Sequence, residues 1–208
     1  LKVKMREFVH HQHYPQDFFT QATKRVARDL IGAILVKNDG GTLLAGRIVE
    51  TEAYLPSNDA ASHSFRGQTP RNAAMFGEAG TLYVYRIYGI HLCANVVTEG
   101  AGTGAAVLLR ALEPLAGIET MQKRRGISSI THLCNGPGKL AQAFGFSLAD
   151  NFTNLTQSAC FLIPQQTQER EPVRVGVSAR VGITKDAALP LRFFDLDSAF
   201  VSKGKPSV

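Results

Sequence analysis

Apolar and polar positions along this chain follow two periods, and the elements are legible from where each period starts and stops. Phe19, Ala22, Val26 and Leu30 recur at the spacing of one helix face, so Phe18–Leu30 reads as an amphipathic helix with Thr20 as its N-cap and Gly32 as its stop. Ala33–Lys37 and Thr42–Tyr54 are strand-like runs joined by the turn Asn38-Asp39-Gly40-Gly41. The chain is organised around Gly80–Val97, where two runs of strong strand formers, Leu82–Ile87 and Ile90–Val97, flank Tyr88-Gly89. Gly89 supplies the positive φ of a two-residue hairpin turn. Ala105–Glu113 is a near-continuous apolar run broken by Arg110 and reads as a buried strand. Pro114–Arg125 reads as a helix, with Pro in its first turn and Leu115, Ile118 and Met121 on one face. Its last turn holds Lys123, Arg124 and Arg125, cations that suit the helix dipole. Asn135–Leu140 resembles a turn opening a helix over Leu140–Phe146. Phe161–Ile163, Val173–Ile183 and Leu191–Phe194 read as the remaining strands, with Gln165–Gln168 as an exposed loop between them. Neither a repeat nor a linker divides the chain, so a single domain is expected over residues 16–208, behind a flexible leader at 1–15 that is His-rich (His10, His11, His13).

This pattern places several polar groups where they need an explanation. In a regular strand Ile48, Glu50, Glu52 and Tyr54 share one face, with the two carboxylates about 7 Å apart at Cα. They are either a solvated polar edge or a pair put to use, because burying them unpaired is costly. Arg110 inside an apolar run needs an anion, either Glu113 in a structural pair or Glu52 in a site. An aromatic such as Tyr88 at a hairpin tip is either part of a core strand pair or a wedge, as in proteins that insert side chains between base steps of DNA. Leu55–Gly80 is a long aperiodic stretch of the kind that often carries function. It holds Thr69, Arg71 and Asn72, residue types that contact phosphates, and His63, which taken alone reads as structural. Lys139 sits beside a helix start that suits a phosphate.

Composition narrows the chemistry. The chain has 208 residues and a net charge of +6, a balance compatible with nucleic acid or an acidic surface. No apolar run approaches the roughly twenty residues of a membrane span, and no signal segment is evident, so a protein retained inside the cell is expected. Cys93, Cys134 and Cys160 are odd in number and widely spaced, which argues against a disulfide framework or a zinc ribbon. No metal- or nucleotide-binding motif occurs, so chemistry from side chains and water, without cofactor or metal, is expected.

GRIVETEAY, QTPRN, GTLYVYRIYG, LLRALEP, NGPGKL and SARVGI occur in the order seen in the alkyladenine (3-methyladenine) DNA glycosylases of the methylpurine type, and the resemblance runs from about residue 16 to 202. It implies an α+β fold: a single mixed domain around a curved, mostly antiparallel β-sheet with a protruding β-hairpin. It also implies a monofunctional glycosylase that flips alkylated or deaminated purines (3-methyladenine, 7-methylguanine, hypoxanthine, ethenoadenine) from double-stranded DNA and hydrolyses the N-glycosidic bond. By the same resemblance Glu52 is the base that activates water. Arg110 and the backbone of Val181 position that water. Tyr54, His63, Tyr85 and Asn95 enclose the base, Tyr88 fills the gap in the stack, and Thr69, Arg71 and Lys139 touch phosphates. A monomer is implied, in the nucleoid-containing cytoplasm of a bacterium or the nucleus of a eukaryote; the short N-terminal region fits the bacterial type. His91 stands where relatives often carry an aromatic, and Arg86 adds charge within the hairpin. Two other readings of the same residues are a damaged-DNA-binding protein without catalysis and a sugar hydrolase using Glu50 and Glu52 as its carboxylate pair.

Overall fold

The long strand Thr42–Tyr54 (β2) is the spine of the molecule. Its first half pairs antiparallel with β1 (Ile34–Asp39), and its second half pairs on the same side with β8 (Arg192–Asp195). Its other side carries β5 (Ala105–Ala116), followed outward by β4 (His91–Thr98) and β3 (Leu82–Ile87). β6 (Cys160–Ile163) extends the sheet beyond β1, and β7 (Val175–Ser178) pairs with β8. Among the described residues every strand pairing is antiparallel, and the eight strands form one curled sheet. Four helices accompany it among the described residues: α1 (Gln16–Phe19), α2 (Thr23–Asp29), α3 (Ile118–Arg125) and α4 (Pro137–Ala143). This is the α+β architecture that the resemblance implies. The computed structural model describes residues 13–164 and 172–203; the His10–His11 cluster and the Gln165–Gln168 loop lie outside them. Within them, His13 stacks on Phe161 and Tyr14 donates its backbone N–H to the Leu162 carbonyl, so the chain contacts the sheet just before α1.

Alternation along the strands sorts side chains onto two faces. Leu82 and Val84 of β3, Ala94 and Val96 of β4, Val107 and Leu109 of β5, and Ala53 of β2 join the main core with Phe19, Val26 and Leu140 from the helices. The opposite face carries Tyr83, Val97 and Ala106, packed with Met75 and Tyr54. The cross-strand register Tyr83–Asn95–Leu108–Glu52–Arg192 runs straight across five strands, so the sheet itself lines up the polar groups of this second face.

Several expected boundaries differ, each for a physical reason. The first helix is broken in two. Thr20 does not cap α2, because its hydroxyl turns back to the Asp17 carbonyl at 2.8 Å. Glu99, from the turn after β4, instead accepts the Thr23 N–H at 3.0 Å and the Thr23 hydroxyl, so a distant carboxylate starts α2. The hairpin turn has three residues, Tyr88 to Ile90, because Ile87 pairs with His91. A two-residue turn would shift the register by one, placing Asn95 in the apolar core and Ala94 on the polar face. Strand β5 continues through Pro114 to Ala116 where a helix was expected. Pro114, which has no N–H, sits beside a bulge at Ala45/Gly46. Gly117 then turns the chain at φ 75°, where a Cβ would lie 2.4 Å from Leu44. Helix α4 starts at Pro137, earlier than Leu140, because proline is well suited to a first helical position. The strand expected over Val173–Ile183 is confined to Val175–Ser178, since Arg180 and Val181 are engaged elsewhere.

Candidate active site

The face shared along β2 also departs from simple alternation. Ile48 belongs to the helix-side core, and so does Ala53; Thr51 donates its hydroxyl to the Ala27 carbonyl in α2. The register with β5 slips between Ile48 and Glu50, so a bulge reverses the alternation at that point. Glu50, Glu52 and Tyr54 therefore share the second face without Ile48.

Both carboxylates are wholly buried. Glu50 accepts from Arg110 Nε at 2.9 Å and Arg192 Nε at 2.7 Å, and from the Ser202 N–H at 2.7 Å and its hydroxyl at 2.9 Å. Glu52 Oε1 accepts the Val181 backbone N–H at 2.7 Å and lies 3.3 Å from an Arg110 terminal nitrogen; its Oε2 accepts the Tyr54 hydroxyl at 3.0 Å. Burial pushes the Glu52 carboxyl above its ordinary value, and Arg110, Val181 and Tyr54 pull it back only in part. Arg110 is held cationic: burial opposes its charge, but Glu52 and Glu50 outweigh that. Glu113, the other anion considered for Arg110, accepts from Arg47 at 2.7 Å. Tyr54 stays protonated, chiefly through burial and then through Glu52, which makes it a donor to that carboxylate. Glu52 is thus a buried carboxylate with raised proton affinity, and Glu50 is an anchor between two guanidiniums.

Tyr54 is also the link to a small cavity lined by Tyr54, His63, Met75, Tyr83, Tyr85 and Asn95. His63 meets Tyr85 edge to face with ring centroids 4.4 Å apart, and its Nδ1 is 3.0 Å from the Tyr83 hydroxyl. Burial, and then the charge of Arg71, lower the His63 pKa, which favours a neutral ring. The Asn95 side chain donates to the Tyr83 carbonyl at 2.9 Å, which fixes its amide against the cavity wall. The aromatic lining is of the kind that packs on a flat ring, and the carboxylate bonded to one of its residues is suited to proton abstraction beside it.

The remaining expected residues do not line this cavity. Tyr88 stands at the hairpin tip, 81 % exposed and at φ 51°, with Ile90 also exposed beside it. That is open to solvent, unlike the core strand pair that was its other reading. Arg71 donates to the Arg86 carbonyl at 2.8 Å and ties the long loop to the hairpin. Thr69 is exposed and bonds Asn72. Asn72 itself is buried, and its amide donates to the His63 and Gly67 carbonyls, so it holds the loop together. Lys139 donates to Asn135 at 2.9 Å at the start of α4.

Sequence reasoning missed Met75 and Tyr83 in the cavity wall, and the ion pairs Arg192–Glu50 and Arg180–Asp59. Tyr83 was within reach, since it alternates with Tyr85 on one strand face. The ion pairs join segments more than a hundred residues apart, and no local pattern announces them.

Residues 17–199 match the family described as Methylpurine-DNA glycosylase (MPG). A protein of Methanoculleus marisnigri is 50% identical over 190 residues, covering 91% of this chain and 98% of its own. One from Chlorobium phaeobacteroides is 45% identical over 191 residues (91% and 95%), and one from Rhodopseudomonas palustris 50% over 189 residues (91% and 87%). All three are named "Putative 3-methyladenine DNA glycosylase".

Proposed function

The chain belongs to the methylpurine-DNA glycosylase family, and from that premise we propose that it excises damaged purines such as 3-methyladenine from duplex DNA with a water molecule activated by Glu52. It is a DNA-repair N-glycosylase, a hydrolase of the bond between base and sugar. The observation that carries the mechanism is the placement of Glu52: wholly buried, and bonded to Tyr54, which lines the aromatic cavity.

The steps follow from the chemistry of these groups. A base inside a duplex must leave the stack before its glycosidic bond is accessible, at a cost of a few kcal/mol. Tyr88, exposed on a narrow hairpin, occupies the vacated space and offsets part of that cost. The extruded purine enters between Tyr54, His63 and Tyr85, whose electron-rich faces favour cationic, alkylated rings. Asn95 meets its edge. As the bond lengthens, the sugar gains oxocarbenium character, which the Glu52 carboxylate stabilises while it accepts a proton from the attacking water. Arg110 and the Val181 backbone, both held at Glu52, aim that carboxylate and so help to position the water. The products are a free base and an intact abasic site. Thr69, Arg71 and Lys139 contribute phosphate contacts, and one chain acts on one lesion.

Glu50 is less suited to a two-carboxylate sugar hydrolysis, because the guanidiniums of Arg110 and Arg192 both donate to it, whereas Glu52 bonds Tyr54 of the cavity wall. The test is release of free base from a methylated duplex, with undamaged duplex as control. Release of 3-methyladenine from the first alone supports the reading, and no release from either sinks it. Borohydride trapping of a covalent enzyme–DNA adduct would contradict the water mechanism, since it requires an amine nucleophile.

A further inference from the structure

Arg180 is a fully buried guanidinium that the mechanism above does not use. Its two terminal nitrogens hold the Asp59 carboxylate, each at 2.7 Å, and one of them also donates to the Ala53 carbonyl at 3.0 Å. Its Cζ lies 4.6 Å from the centroid of the Tyr54 ring. Its Nε is buried with no hydrogen-bond partner among the described residues. Asp59 in turn accepts the Leu55 and Ala61 N–H groups at 2.9 and 3.2 Å, so its carboxylate closes the loop that follows β2.

The position of this cation in the chain gives the arrangement its consequence. The next residue is Val181, whose N–H bonds Glu52 Oε1, and the ring packed against the guanidinium is Tyr54, whose hydroxyl bonds Glu52 Oε2. Each oxygen of Glu52 therefore takes a hydrogen bond from a group that Arg180 holds, one through the backbone and one through the ring face. A buried ion pair with an unpartnered Nε is a poor choice for stability alone, since well-packed apolar residues often serve as well. As a clamp it has a purpose, because misplacing a donor by a fraction of an ångström weakens a catalytic arrangement.

We propose that Arg180, locked by Asp59, is a positioning residue for the reaction. It holds the Val181 N–H and the Tyr54 hydroxyl on the two oxygens of Glu52 together, and so sets both the direction and the basicity of that carboxylate. The inference rests on the reading of Glu52 as the base. Both donors stabilise the ionised carboxylate, so loosening them raises the Glu52 pKa further. The pH at which base release switches on then rises as well.

The experiment compares wild type, Arg180→Lys and the double variant Asp59→Asn with Arg180→Gln, which removes both charges and strands neither. Each is assayed for single-turnover release of hypoxanthine from duplex DNA across pH, and for binding to the same duplex. The double variant is expected to lose about 100-fold in rate, the scale of a lost oriented donor. Its acidic limb should move to higher pH, and its DNA binding should stay within about threefold, less than 1 kcal/mol. Arg180→Lys keeps the charge and should recover part of the rate and of the limb. A wild-type rate in the double variant, or a reduced rate with an unmoved limb, overturns the inference. Failure of the wild type to release either hypoxanthine or 3-methyladenine would instead overturn the glycosylase reading, so the two outcomes are distinct.

Discussion

Glu50 and Glu52 share one guanidinium, that of Arg110, unequally: Nε donates to Glu50 at 2.9 Å, while the contact to Glu52 is 3.3 Å from a terminal nitrogen. Glu50 has a second guanidinium in Arg192 and Glu52 does not share it. Two carboxylates two residues apart on one strand thus have different duties.

The first prediction concerns Glu50. Glu50→Gln leaves Arg110 and Arg192 without their buried anion. It should cost about 3 kcal/mol, the scale of a broken buried pair, and lower Tm by roughly 10 °C for a chain of this size. Thermal unfolding followed by circular dichroism measures it. A Tm within about 2 °C of wild type, under 1 kcal/mol, would remove Glu50 from its anchoring role.

Glu52 carries the opposite expectation. Its proton affinity is raised in the folded state, chiefly by burial, so the folded chain binds more protons than the unfolded chain above the ordinary value of 4.5. Stability from this group is then complete below pH 4.5 and is lost as pH rises through the folded value. Glu52→Gln should be more stable than wild type at pH 7.5, and the advantage should shrink as pH falls toward 4.5. Activity has the reverse dependence, rising with pH as Glu52 ionises. Tm measured against pH for both proteins decides it; a Glu52→Gln variant less stable at pH 7.5 would contradict the assignment.

Tyr88 touches solvent, not the core, so Tyr88→Ser should leave Tm unchanged. Lesion binding should weaken about tenfold, or roughly 1.4 kcal/mol. The dependence of affinity on salt should keep its slope, because the side chain neutralises no phosphate. Titrations with a duplex carrying a fluorescent base at several salt concentrations read affinity, slope and flipping together. Undiminished flipping would dismiss the wedge.

Asn95 lines the cavity with its amide pinned to the Tyr83 carbonyl. Guanine bears an amino group at C2 where adenine and hypoxanthine bear none, and a side chain packed there rejects it by a penalty of about 1–3 kcal/mol. Asn95→Ser should raise release of 7-methylguanine relative to hypoxanthine under single-turnover conditions. An unaltered ratio would show that Asn95 is not the gate.

How far these features were legible in the sequence depends on their range. The spine strand Thr42–Tyr54 matches its expected ends because a Gly-Gly turn bounds one end and a proline loop follows the other. The aromatic hairpin was legible from β propensity, but its three-residue turn was not, because register is decided by which face is apolar across the pair. The bulge that separates Ile48 from Glu50 has no local signature, so simple alternation put Ile48 on the wrong face. Glu52 and Arg110 stood out as charges in apolar strands. Arg180 did not, since its partner Asp59 lies 121 positions away in a loop.

In the proposed mechanism Glu52 activates the water that displaces the purine. Single-turnover release of 1,N6-ethenoadenine from a duplex, measured for wild type and Glu52→Gln alongside binding to the same duplex, tests it most directly. The expected loss is about 1000-fold in rate, within the range of a removed general base, with binding unchanged within a few-fold. Release by Glu52→Gln at near the wild-type rate would contradict it.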